Sequence, residues 1–192
     1  MQALAICGSP RRGGNTEILL RRILRGLDAR GAETQFLHLR ELDIRPCVAC
    51  GACRRAREPA CQQQGDDFAE VFEAMRAADI LVVGSPVYFG SATPELMALL
   101  DRAGFVARGH GDLFARKVGG PFVVARRAGQ NFTLAQLVFW FLGVQMVVPG
   151  SSYWAMAFGG KPGSVEEDDE GLRTADRYAE NLHWLATRVA GG

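Results

Sequence analysis

The chain has 192 residues, of which 48% are hydrophobic and 22% charged. That fits one folded domain over residues 1–192 and excludes wholesale disorder. Twenty-two basic and 21 acidic side chains leave a net charge of +1, which argues against a non-specific nucleic-acid binder.

Short apolar runs alternate with amphipathic segments. Ala3 to Cys7 reads as a buried strand ending at Gly8. Thr16 to Arg30 places Ile18, Leu19, Ile23 and Leu27 at near-helical spacing, and Gly31 stops that helix. Thr34–Leu39 reads as a second strand, 43–64 as an irregular cysteine-rich loop, and Asp67–Ala77 as a helix. Ile80–Val83 forms a third strand ending at Gly84, and Pro94 opens a helix to Ala107 from a first-turn position. Val118–Ala125 is the fourth strand, Asn131–Leu142 a helix, and Val144–Val148 the fifth strand. The acidic run Glu166–Asp169 suits the positive N-terminus of a last helix. The uncharged stretch Phe132–Val148 is interrupted by Gln136, Gly143 and Gln145, and falls short of the ~20 residues of a membrane span. Met1–Cys7 leads into a glycine loop and not into a signal-type apolar run, so a cytoplasmic location is expected. The alternation predicts a doubly wound parallel α/β sheet, in which ligands bind beyond the carboxyl ends of the strands.

Three loops fall there. Gly8-Ser9-Pro10-Arg11-Arg12-Gly13-Gly14-Asn15-Thr16 offers small residues, hydroxyls, guanidiniums and amides at a helix N-terminus, all suited to a phosphate. It lacks both the Gly-Lys-Ser/Thr ending and the Gly-x-Gly-x-x-Gly pattern of nucleotide loops; a plain turn with Asn15 as cap is the alternative. Gly84 to Ser91 carries Tyr88 and Phe89, which either cover a planar ring or turn a core corner. Arg126 to Asn131 either hydrogen-bonds a heterocycle through its amides and Gln130, or is a solvated connection capped by Asn131.

Together the loops resemble the NADPH-dependent FMN reductase branch of flavodoxin-like proteins, in the order and spacing of Gly-Ser-Pro-Arg-x-x-Gly-Asn-Thr, Ser-Pro-Val-Tyr-Phe-Gly and Gly129-Gln130. The resemblance implies a flavodoxin-like five-stranded fold, three-layered α/β/α, holding FMN non-covalently. Carried onto this sequence, the FMN positions are Ser9, Arg11, Asn15 and Thr16, then Pro86, Val87, Tyr88, Phe89 and Gly90, then Gly129 and Gln130. Asn131 stands where relatives often carry glutamate.

Cys47, Cys50 and Cys53 are spaced two residues apart, and Cys61 follows. Three thiols on one short loop can reach three corners of a cubane, with the fourth arriving from farther on. Zinc, which prefers two separated Cys-x2-Cys knuckles, ranks second. Cys7 belongs to the first strand and reads as a buried apolar residue. The spacing resembles the compact motif of the iron–sulfur flavoproteins, which implies a 4Fe–4S cluster on Cys47, Cys50, Cys53 and Cys61; the alternative is a cluster-free relative with reduced thiols. His38, His110 and His183 are scattered, and no paired-carboxylate site is recognisable.

The reading is an FMN-dependent oxidoreductase of the iron–sulfur flavoprotein type, with no side chain named as acid or base. It would exchange electrons with a partner such as ferredoxin and with a small-molecule acceptor. The alternatives are a cluster-free NAD(P)H-dependent flavin or quinone reductase, and a flavodoxin-type carrier that is not an enzyme. In the helix from Asn131, apolar residues such as Phe132, Phe139 and Leu142 go around the helix and do not keep to one stripe. That surplus, paired with the Pro94–Ala107 helix, predicts a homodimer or homotetramer with the flavin near a subunit boundary; the alternative is packing under loop three or around Tyr153 and Trp154.

Overall fold

Eight consecutive buried residues, Val118–Ala125, form β4 next to the sheet edge. The computed structural model describes residues 1–191. With β1 (Gln2–Cys7), β2 (Glu33–His38), β3 (Ile80–Pro86) and β5 (Met156–Phe158), β4 builds one sheet in the order β2-β1-β3-β4-β5. Every pairing is parallel.

Alternate residues of the central strands point to opposite faces, as the two-residue strand period requires. Ala3, Ala5, Ile80, Val82 and Phe122 meet α1 (Asn15–Asp28) and α5 (Asp169–Ala190) on one side. Leu4, Ile6, Leu81, Val83 and Val123 meet α2 (Phe68–Ala77), α3 (Pro94–Gly109) and α4 (Gln130–Gly143) on the other. The three-layer flavodoxin-like arrangement is therefore the observed one. Among the described residues, no helix is long and apolar enough to cross a membrane.

The fifth strand differs from expectation. Val144–Val148 contributes a single bridge, Val147 to Val118, and β5 itself is Met156–Phe158. Hydrogen bonding explains the split. Gly119 donates to Val147 and Val123 to Ala155, so the odd residues of β4 aim their amides at the fifth lane. Pro121, between them, has no N–H to give. The chain leaves the lane there, passing through Pro149 and Gly150, and returns beside Val123–Ala125. Two smaller shifts also occur. β3 runs past Gly84 because Ser85 and Pro86 still pair with Val123 and Val124. The acidic run splits into a 3-10 turn, Ser164–Glu167, and the start of α5, where the Asp168 carboxylate accepts the Gly171 amide at 3.0 Å.

Tyr178 of α5 is 1% exposed, and its hydroxyl has no hydrogen-bond partner among the described residues. That hydroxyl fills the space over Gly120, where a Cβ would lie 2.1 Å from it. A buried donor left unpaired costs stability, and burial pushes the phenol well above its ordinary range. Tyr178→Phe is therefore expected to be neutral or to stabilise by up to about 1 kcal/mol in urea unfolding. A clear loss would mean that the hydroxyl is partnered.

Candidate functional site

The carboxyl ends of β1, β3 and β4 converge on glycines. The Gly8 amide donates to Gly84 O at 2.8 Å, and the Thr93 hydroxyl donates to Gly8 O at 2.8 Å. A Cβ on Gly8 would meet Thr93 Oγ1 at 2.8 Å and Leu96 Cβ at 2.9 Å, so only glycine lets the first loop leave the sheet here. The Arg11 amide donates to Ser9 Oγ at 3.2 Å, and the loop closes on Gly14, the cap of α1. The first-turn amides of a helix have no intrahelical acceptor, which leaves them turned toward the loop. Asn15 is not the cap. It lies inside the helix and its amide donates to Lys161 O at 2.8 Å while its Oδ1 accepts from Val165, fastening the loop to the segment after β5.

Beyond β3, Tyr88 and Ser91 exchange backbone hydrogen bonds around a tight turn, with Phe89 and Gly90 both at positive φ, 51° and 82°. Neither aromatic turns a core corner: Tyr88 is 44% exposed and Phe89 fully so. A bulky residue held at positive φ is an outlier that surrounding structure must sustain. Gly129 sustains it from the third loop, since a Cβ there would meet Val87 Cγ1 at 2.9 Å and Gly90 Cα at 3.3 Å. Gln136 adds a second tie, its Oε1 accepting from the Ser91 hydroxyl and the Ala92 amide. Helix α4 begins at Gln130 with Gly129 as its cap, so Asn131 is not the capping residue. The Gln130 Oε1 is buried without a partner among the described residues.

These loops enclose a cleft of about 260 Å³ lined by Ser9, Arg11, Asn15, Thr16, Pro86, Val87 and Tyr88. A second, shallower hollow of about 560 Å³, lined by Phe89, Gly90, Arg127 and Ala128, shares Val87, Tyr88 and Arg126 with it. Gly129 and Gln130 line neither. Sequence reasoning missed Arg126, which borders both, and the wall made by Gly159, Gly160 and Pro162. The Gly-Gly-Lys-Pro-Gly run signalled that wall, but with the fifth strand set too early it was not read as a loop beyond a strand.

Cys47, Cys50, Cys53 and Cys61 all line one separate cavity of about 150 Å³. Cys50 is exposed and the other three are half-buried. Cys53 and Cys61 pack against the apolar core, and His110 Nε2 lies 2.8 Å from Cys53 O. Among the described residues, no three metal-ligating side chains are drawn together closely enough to hold an ion.

A parallel sheet with helices on both faces and a trough at its carboxyl edge is flavodoxin-like, and a WrbA-like flavodoxin of Agrobacterium tumefaciens superposes with a TM-score of 0.68 at 17% identity, over 97% of this chain and 98% of that one. The model of the NADPH-dependent FMN reductase family matches residues 1–161. An iron–sulfur flavoprotein of Methanocaldococcus jannaschii is 36% identical over 95% of each chain. Another, from Methanosarcina thermophila, is 36% identical over 95% of this chain and 93% of its own. The chain belongs to the NADPH-dependent FMN reductase family, in its iron–sulfur flavoprotein group, and is an FMN-dependent oxidoreductase.

The fifth cysteine stands apart. Burial inside β1 pushes the Cys7 thiol up to about 12, so almost no thiolate forms near neutrality. Iodoacetamide at pH 8 is expected to label only the loop cysteines of reduced, metal-free protein, with Cys7 reacting after unfolding. Intact-mass spectra count the adducts; a fifth adduct on folded protein, as fast as the first, would contradict it.

Proposed function

We propose that FMN lies along the trough, phosphate at the N-terminus of α1 and ring toward Tyr88, Phe89 and Gly90, and that the four loop cysteines hold a 4Fe–4S cluster. The observation that carries the reading is that the two hollows share Val87, Tyr88 and Arg126 as walls. One end offers helix-start amides, Ser9, Thr16 and the Arg11 guanidinium, which together suit a dianion. The other end offers exposed aromatic surface in Tyr88 and Phe89.

When bound, FMN supplies hydride and single-electron chemistry, and the protein supplies position and field. Pro86 and Val87 hold the floor of the trough, with the Val87 amide donating to Val124 O at 3.0 Å. Asn15 keeps the phosphate end shut through its bonds to Lys161 and Val165. No side chain is required to move a proton. For the cluster, the supporting observation is the single cavity that all four thiols border. Arg54 lines that cavity and Arg55 donates to Cys50 O at 3.4 Å, and neither forms an ion pair among the described residues. A positive rim of that kind suits an acidic electron carrier such as a ferredoxin, with NAD(P)H or a small-molecule acceptor meeting the flavin at its open edge. A cytoplasmic, reducing setting goes with thiols kept free for a cluster.

Two variants separate the sites. Arg11→Ala with Thr16→Ala should weaken FMN at least tenfold in a fluorescence titration, since charge-assisted hydrogen bonds contribute about 1.5–3 kcal/mol each; unchanged affinity overturns the phosphate assignment. Cys50→Ser should lose iron and keep FMN. Wild-type protein reconstituted anaerobically and still free of iron and sulfide would leave the cluster-free reductase.

The same reading includes a homodimer or homotetramer. Phe132, Phe139 and Leu142 of α4 are 76, 71 and 55% exposed, and they do not pack under the neighbouring loops. Helix α3 lies alongside, joined by the Trp140 indole donating to Leu100 O at 2.7 Å, and adds the exposed Phe105. Such a contiguous patch marks an interface, and two α3–α4 pairs across a two-fold axis would cover it. Light scattering at micromolar concentration is expected to exceed the 20.9 kDa monomer mass at least twofold. A monomer with FMN bound would refute it.

A further inference from the structure

Arg102 is the largest fully buried side chain of the protein's described residues, 1% exposed in the middle of α3. A charge is buried only at the cost of lost hydration, so its partners show what it is for. It forms an ion pair with Asp66, itself 2% exposed, and stacks over the Phe68 ring at 4.0 Å. Nη1 donates to Arg45 O at 3.0 Å and Nη2 to Gln63 O at 3.2 Å. Arg45 precedes Cys47 by two residues and Gln63 follows Cys61 by two. One guanidinium thus grips both ends of the cysteine loop and the carboxylate that closes it.

The grip leaves one donor over. Arg102 Nε is buried and has no partner among the described residues. Arg102 also lines the cavity bordered by the four thiols, whereas Asp66 does not. The Cys61 side chain sits against the same guanidinium. The positive member of the ion pair therefore borders the cavity of the thiols and the negative member does not.

Resting on the cluster reading above, we infer that Arg102 is a positioning and potential-setting residue of the cysteine site. Its fork ties the two ends of the loop together beneath the cavity that the four thiols border, and its Nε–H, unpartnered among the described residues, is the donor left for a sulfur held there. Reduction adds one electron, and so one negative charge, to a site already negative. A fixed cation at the cavity wall, with an N–H free to donate, favours that state and raises the potential. Loop residues elsewhere contribute charge that solvent screens; Arg102 is the buried one.

The test uses full-length, anaerobically reconstituted protein, with FMN content as the check on folding. Arg102→Gln combined with Asp66→Asn keeps a hydrogen-bonding pair but removes both charges, avoiding a lone buried carboxylate. It is expected to keep its FMN and to shift the midpoint potential of the iron-loaded site, followed by electron paramagnetic resonance, to a more negative value. Arg102→Lys retains the charge but has neither fork nor Nε. It should lose iron relative to FMN several-fold, or shift the potential in the same direction. Wild-type iron content and potential in Arg102→Lys overturn the proposal, as does an unchanged potential in the iron-loaded double variant. If the double variant holds FMN but no iron, the fork is required, as proposed. Wild-type protein that takes up no iron is a different failure: the cluster reading falls first, and this inference with it.

Discussion

The close approach of the β1 and β3 carboxyl ends sets everything above the sheet. Gly8 hydrogen-bonds Gly84 across the gap while the Thr93 hydroxyl reaches down to Gly8 O, and a methyl group at either glycine would collide, with Thr93 and Leu96 at Gly8 or with Leu20 and Thr16 at Gly84. Once the strands end this close together, the first loop has room only to rise and turn over the start of α1. The second must run outward to its turn at Phe89. Gly129 then admits the third loop against Val87 and Gly90. The trough is what remains among three loops whose bases are fixed by close backbone contacts and by short side-chain ties such as Thr93 to Gly8 O.

Most of this order was legible because it follows from periodicity. Runs such as Ile80–Val83 and Val118–Ala125 are apolar on both faces, which parallel strands covered by helices require. Loop positions follow from topology, so Ser9, Arg11, Thr16 and Tyr88 could be placed at the sheet's edge before any coordinates. The fifth strand was misplaced because Val144–Val148 satisfies the local rule for a strand. What overrides it lies in another strand: Pro121 withholds the amide that would have continued the pairing. Pairing between strands distant in sequence is invisible to a window that sees one strand at a time.

The exact work of Asn15 and Gln130 was hidden for a similar reason. Asparagine at a helix start commonly caps it, but here the amide is drawn to Lys161 and Val165, some 150 residues away in sequence. The cysteine spacing showed which residues share a loop, and the structure adds that they share a cavity. Neither spacing nor composition pointed to Arg102 or Asp66. In sequence, Arg102 is one arginine on a helix beside Asp101; only the fold turns it inward, under the loop.

Helix α3 gives these two regions a common frame. Its cap, Thr93, is bonded to Gly8 O and Ser85 Oγ beneath the trough. Nine residues on, about 14 Å along a helix axis, Arg102 grips the cysteine loop. The loop has little regular structure, and two of its residues, Ala49 and Gly51, are held at positive φ. Left to itself it would be a poor platform for anything that must stay at a set distance from the trough. A helix does not stretch, and Leu96, Leu99, Leu100 and Ala103 bury its inner face without a gap. The separation between the two regions is therefore fixed by a rigid rod anchored at both ends by buried polar contacts. Were the trough to hold FMN and the loop a cluster, as proposed above, such a rod would set the distance between them more firmly than the loop it supports.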